Sequence, residues 1–253
     1  MPIELSIGGE SLWGFLLALA RVSGIVALVP IPGWRQAPDA ARLMLAMSMT
    51  FALAPLWPTL EADKLGWIGI IGLVIRELLF GISVGLAVNF LLEGFAIAAQ
   101  ILGLQAGYSY ASTIDPATEA DNGVLQIILQ IAASLLFFSF GLEAEVIRAL
   151  AQSFDANAAV SITGNLAQAE RVLLLGAGMW KTAVRLSMPV VGLLLMLDIS
   201  MAVLGRIATQ LQLLTLAFPA KMLMSLAILS FLAGTLPQLF REQASWTVQL
   251  WQK

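Results

Sequence analysis

The chain has 253 residues, 59% of them hydrophobic and only 11% charged, against about 25% charged in a soluble domain. With a mean hydropathy of +0.89, this excludes an ordinary soluble enzyme and points to an integral membrane protein. The formal charge of −3 comes with no basic run, so nothing invites nucleic acid or an anionic lipid surface.

Cysteine and histidine are both absent. Disulfides, thiolate chemistry and Cys-ligated metals are thereby removed, along with the commonest general base and metal ligand. No cofactor is expected. At roughly 20 residues per span, the length allows about six crossings of a bilayer. The expected fold is therefore all-α: about six long, partly broken helices arranged in hairpins, within one integral-membrane domain over residues 1–253. The opening M-P-I-E-L-S carries an acid where a signal peptide carries bases, so the first apolar stretch is expected to stay in the mature protein.

In chain order, Leu12 to Pro30 is apolar except for Arg21 and ends at P-I-P-G-W, a turn signal. Pro38 and Asp39 suit the first turn of a new helix. Leu43 to Leu60 is uncharged, with Pro55 and Pro58 breaking its end. From Leu65 to Ile114 the apolar run is interrupted only by Arg76, Glu77 and Glu93, and Val124 to Leu142 has no charge. Glu143 to Glu170 is more polar and suggests a helix end and a solvated loop. Val172 to Gly205 carries Lys181, Arg185, Pro189 and Asp198, and Leu211 to Phe240 carries Pro219, Lys221 and Pro237. The tail from Arg241 reads as a short amphipathic end at an interface.

The stretch G-L-Q-A-G-Y-S-Y-A-S-T-I-D-P-A-T-E-A-D-N-G, residues 103–123, lies between two helices of spanning length. Irregular backbone there must be covered by protein or lie along water, because it is not stable in bare hydrocarbon. It reads as a constriction or plug in a transport path. Gly103, Gly107 and Asp115-Pro116 supply its bends.

Polar and small residues recur at helical spacing before the loop (Glu77, Gly81, Gly85, Asn89, Glu93, Ala96, Gln100, Gly103, Gly107) and after it (Gln126, Gln130, Ser134, Gly141, Glu145, Arg148, Gln152). Each row marks one helix face, and the two suggest a long hairpin whose polar faces meet protein or water. Small residues also let helices pack closely, and that reading suits the glycines. It suits Asn89, Glu93 and Gln100 less well, since a mid-bilayer charge costs about 2.5–3.5 kcal/mol on insertion scales.

Arg21, Arg76, Asp198, Arg206 and Lys221 raise the same problem. Adjacent Arg76 and Glu77 should point apart and need different partners, as should Asp198 and Arg206. Lys221 and Arg206 are expected to snorkel. Bases and acids are mixed in nearly every loop, so no membrane orientation follows from the positive-inside rule.

These motifs resemble the FliR family of type III secretion export-gate proteins, whose injectisome relatives are the SctT proteins. The resemblance covers nearly the whole chain. Its residues are G-L-Q-A-G-Y-S-Y-A-S-T-I-D-P, then L-L-F-F-S-F-G-L-E-A-E-V-I-R-A-L-A-Q-S-F, then L-G-R-I-A-T-Q-L-Q-L-L-T-L-A-F-P-A-K, with P-I-P-G-W-R-Q-A-P-D-A-A-R near the start. Leu142-Glu143 stands where the family often has Gly-His, Thr209 replaces a usual Pro, and Gln212 a usual Asn.

The resemblance implies a right-handed helical hetero-oligomeric export gate built with FliP-like and FliQ-like subunits. An FlhB-like switch subunit lies at its base, and unfolded proteins pass through its centre. The setting would be the bacterial inner membrane, multi-pass, in the flagellar basal body. The loop matching Gly103–Pro116 would be the plug, lined by Tyr108, Tyr110, Ser112, Thr113 and Ile114 and closed together with a methionine ring of the FliP-like subunits. Arg76, Glu77, Asn89, Glu93, Gln100, Gln126, Gln130, Asp198, Arg206 and Gln210 would be polar residues buried between subunits. The polar rows average slightly over 3.6 residues per repeat, which favours a right-handed wind.

A stand-alone secondary transporter, with Glu77, Glu93 and Asp198 as proton or cation sites, is the alternative, although no inverted repeat is visible. An intramembrane protease is disfavoured: a rhomboid-like dyad needs histidine, and no G-x-G-D signature is present.

Overall fold

The computed structural model describes residues 9–29, 38–58, 66–108, 123–154, 166–207 and 213–252. Among these the chain is helical, without strands. Helix α1 is Gly9–Leu28, α2 Asp39–Ala52, α3 Trp67–Ala106, α4 Val124–Ser139, α5 Leu142–Gln152, α6 Leu166–Ile207, α7 Leu213–Leu232 and α8 Leu236–Gln252. Short 3-10 turns follow α2 (Ala54–Leu56) and α7 (Ala233–Thr235).

The ends of these helices follow local chemistry. Pro38 is the N-cap of α2 with extended backbone, and Asp39 sits in the first turn, where an acid complements the helix dipole. Pro55, early in the 3-10 turn, comes three residues after α2 stops. The uncharged run expected over Val124 to Leu142 is interrupted. Gly141 takes φ +67, a left-handed conformation that ends regular helix, and α5 restarts with Glu143 and Glu145 in its first turn. Pro189 lies inside α6 and Pro219 inside α7. Each removes one helical donor, a loss that membrane helices tolerate when neighbours re-satisfy the freed carbonyl.

The described residues form the expected all-helical fold of long, partly broken helices. Three helical stretches among the described residues are long and apolar enough to cross a membrane: Trp67–Ala106, Glu170–Ile207 and Ala217–Gln249. A fourth counts if Leu125–Ser139 and Leu142–Gln152 are one span. The apolar residues are gathered into fewer, longer helices. At 1.5 Å per residue a 40-residue helix such as α3 follows about 60 Å, roughly twice the hydrocarbon thickness.

The chain forms two compact units. The first comprises Met1–Asn89 and Gly141–Leu174, the second Phe90–Phe140 and Leu175–Lys253. In the first, Phe15, Phe51 and Trp57 form an aromatic cluster with centroids 5.3–6.2 Å apart, and Trp57 Nε1 donates to the Thr50 carbonyl at 2.9 Å. Helices α1 and α3 touch backbone to backbone. A Cβ at Gly24 would lie 2.8 Å from the Ile82 nitrogen and the Leu78 oxygen, and one at Gly85 2.8 Å from Leu28 Cβ.

In the second unit, Phe240 of α8 is fully buried. It stacks on Phe140 (5.9 Å, 12°) and packs against Phe95 at 5.5 Å. Within the tail expected from Arg241, Ala244 is also buried.

Large apolar residues elsewhere face outward: Trp67 and Ile68 on α3, Met196 and Ile207 on α6, Leu223 and Phe231 on α7. Outward patches of this extent mark contact with lipid or protein.

Candidate functional site

In the first unit the apolar part of α1, from Leu12 on, carries one charge, Arg21, only 4% exposed. Its Nε donates to Glu77 Oε2 at 2.6 Å, and its Nη2 also pairs with that oxygen. Its Nη1 donates to the Ser153 carbonyl at 2.6 Å and to Ser153 Oγ at 2.8 Å. The guanidinium carbon lies 4.3 Å from the Phe154 ring centroid and 4.9 Å from that of Phe80. One side chain thus ties α1, α3 and the turn after α5. Charge-assisted hydrogen bonds of this kind are roughly twice as strong as neutral ones, and an aromatic face suits a desolvated cation.

Arg76 Nη2 reaches Glu77 Oε1 at 3.1 Å, which corrects the expectation that these neighbours need different partners. The Arg76 side chain remains 37% exposed. Asn89 Nδ2 donates to the Leu28 carbonyl at 3.1 Å, satisfying one of the free carbonyls at the end of α1. The row Glu77, Gly81, Gly85, Asn89 therefore faces α1, and close packing accounts for it.

In the second unit, α3 ends where the mid-chain loop begins. Gly107 takes φ +86. Its N–H donates to the Leu104 carbonyl at 3.3 Å, and the Tyr108 N–H to the Gly103 carbonyl at 2.9 Å. This bond pair is a Schellman motif. A Cβ at Gly107 would meet Phe218 Cδ1 at 3.0 Å, so glycine is required both for its backbone and for space. Tyr108 packs against a buried cluster of Leu102, Ala106, Val190 and Leu194. Its hydroxyl donates to the Met222 carbonyl of α7 at 3.0 Å. The second residue beyond the helix, Tyr108, is therefore held by backbone, packing and hydroxyl together. Tyr110, Ser112, Thr113, Ile114, Asp115 and Pro116 lie outside the described residues.

Lys221 Nζ pairs with Asp198 Oδ1 at 2.5 Å, joining α7 to α6. Lys221 thus has a partner in its own chain. Among the remaining residues singled out, Glu93, Gln126 and Gln130 are half-buried and Gln100 and Arg206 exposed, while Gln210 is outside the described residues. The Gln130 carbonyl accepts from Ser134 Oγ at 2.8 Å.

Sequence reasoning missed Ser153 and Phe154 as partners of Arg21, and Met222 as partner of Tyr108. A backbone carbonyl acceptor leaves no mark in a sequence. The one available signal was Arg21 itself, a lone charge in an apolar run. No group of three or more acidic residues that could hold a metal ion occurs among the described residues.

A family model described as "Bacterial export proteins, family 1" matches residues 12–245. The "Flagellar biosynthetic protein FliR" of Escherichia coli K12 is 30% identical over 217 residues, covering 85% of this chain and 82% of the relative. The protein of the same name from Bacillus subtilis 168 is 24% identical over 241 residues, covering 93% and 92%. That from Pectobacterium carotovorum is 25% identical over 224 residues, covering 88% and 85%.

Proposed function

The chain belongs to family 1 of the bacterial export proteins, and on that premise we propose that it is a non-catalytic subunit of the inner-membrane export gate of a flagellar type III secretion apparatus. Its similarity to relatives named as flagellar biosynthetic proteins supports the apparatus. The extensive outward apolar surface supports burial among lipid and small hydrophobic partners of the FliP-like, FliQ-like and FlhB-like kinds. In this reading the chain acts as one membrane domain, and the loop over residues 103–123 stoppers the path of unfolded substrates. Residues Tyr108, Tyr110, Ser112, Thr113 and Ile114 line that stopper. Arg206, Gln100, Gln126, Gln130 and Gln210 serve contacts between subunits.

The observation that carries the plug reading is the fixed start of the loop at Gly107-Tyr108. A stopper needs a rigid root, because a loop whose end wanders cannot hold a pore closed against an ion gradient. The transporter alternative is weakened by pairing within the chain. Two of the three carboxylates it would use, Glu77 and Asp198, are engaged by Arg21 and Lys221.

The test is an in-frame deletion of residues 109–113, which spares Tyr108. Secretion of filament protein should fall or become unregulated and ion leak should rise, while copurification with partner subunits persists. Unchanged secretion and leak would refute the plug.

A further inference from the structure

We propose that the outward face of the first turns of α3 is a docking surface for an apolar helix of another subunit, and that this helix presents a carboxylate to Arg76. The inference rests on the reading that the chain works as a subunit of a membrane assembly. It names one surface of that subunit and the chemistry that fits it.

The face changes character along the helix. From Phe80 to Asn89 no residue of α3 is exposed. Before that, Ile68, Ile71, Gly72, Ile75 and Leu79 are all exposed. Steps of three and four residues place them in one stripe. Gly81 and Gly85 serve the close crossing with α1. Gly72 serves no such contact, because a Cβ there would meet no described residue within 4 Å. Glycine inside an exposed helix lowers helix stability, and in membrane helices it lets a neighbouring backbone come close.

Charge selects the neighbour. Arg21 and Arg76 share one acid, Glu77, so the cluster carries one positive charge in excess. Arg21 is enclosed by its partners. Arg76 stands at the margin of the stripe, one turn after Gly72. Its Nη2 is held by Glu77 Oε1 at 3.1 Å, and its other donors have no partner among the described residues. A guanidinium oriented in this way, with apolar residues on either side, matches a carboxylate in both charge and fork geometry. A lipid headgroup fits less well. The polar turn Glu61–Lys64 and the exposed Trp67 mark the end of α3 that a headgroup would meet. Arg76 lies nine residues, about 14 Å, further along the helix, level with Ile75 and Leu79.

The variants Arg76→Leu and Gly72→Val test the surface without touching the fold. Arg76→Leu leaves the neutral pair Arg21–Glu77 in place, and Gly72→Val fills space that no described residue uses. In each, the recovered chain and its Tm should stay near wild type. Retention of the partner subunit after detergent extraction should fall roughly five- to thirtyfold, the range of one polar contact between membrane helices. Arg76→Lys, which keeps the charge, should retain more partner than Arg76→Leu. A benzophenone side chain introduced at position 75 of the full chain, activated in native membranes, identifies the occupant by mass spectrometry. The expected adduct is an apolar peptide of another subunit that contains Asp or Glu. An adduct with phospholipid, with a second copy of this chain or with a peptide lacking an acid would overturn the proposal. Equal retention of partners by wild type and both variants would overturn the docking surface and leave the assembly reading standing. A wild-type chain that brings down no other subunit would overturn both.

Discussion

Replacing Arg21 by methionine should destabilise the first unit severely, and the reason lies with the partner left behind. The Glu77 side chain is 5% exposed and accepts from Arg21 at Oε2 and from Arg76 at Oε1. Breaking a buried pair by removing one member costs about 3–5 kcal/mol, because an uncompensated charge stays buried. Arg76 remains at Oε1 and is partly solvated, which argues for the lower end, about 3 kcal/mol. At about 2–4 °C per kcal/mol for a chain of this size, the Tm falls by about 6–12 °C.

Glu77→Leu alone leaves the guanidinium its two Ser153 acceptors and the Phe80 and Phe154 faces, so it costs less. The double variant Arg21→Met, Glu77→Leu removes both charges and should return to within about 1 kcal/mol of wild type. Thermal unfolding of the detergent-solubilised chain, followed by tryptophan fluorescence across the four proteins, yields the coupling energy. The exposed pair Arg148–Glu145 (67% and 46% exposed) is the internal control, since such pairs contribute about 0.2–1 kcal/mol. A coupling for Arg21–Glu77 no larger than that of the control would refute the clasp.

Two further perturbations test the helix contacts. Gly81→Val would drive a side chain into the Arg21 carbonyl, where no Cβ fits. It should cost about 1–3 kcal/mol as overpacking and reduce the amount of chain recovered from membranes, whereas Gly72→Val, in open space, should not. Gly107→Ala places an L side chain at φ +86, a strain of about 1–2 kcal/mol, and crowds Phe218. Gly107→Asn should strain the backbone less, so the Tm in thermal unfolding should fall less with asparagine than with alanine. An equal fall would place the requirement at the Phe218 contact instead of the backbone.

The helical class and the membrane setting were legible in the residues because they depend on quantities that add along a chain. Long apolar runs, absent histidine and cysteine, and proline and glycine at the ends of runs suffice for them. The loop root was legible in part: Gly107 turns the chain as expected, whereas Gly103, also expected to bend it, lies inside α3, where no breaker stops the helix. The bounds of single helices were not legible, because composition cannot say where one helix ends if no breaker does it. The Leu65 to Ile114 run is mostly one 40-residue helix, whereas a glycine in the charge-free Val124 to Leu142 run takes φ +67 and divides it.

Which charges meet was decided by tertiary structure alone. Arg21 and Glu77 are separated by 56 residues, and Arg21 and Ser153 by 132. No periodicity links such positions, because their pairing follows from the close crossing of α1 and α3 that Gly24, Gly81 and Gly85 permit. The sequence could declare that buried charges need partners, since desolvation is a property of each residue by itself. Only the folded chain could supply Glu77, Ser153 and Lys221 from within, because proximity is a property of the packing of distant segments.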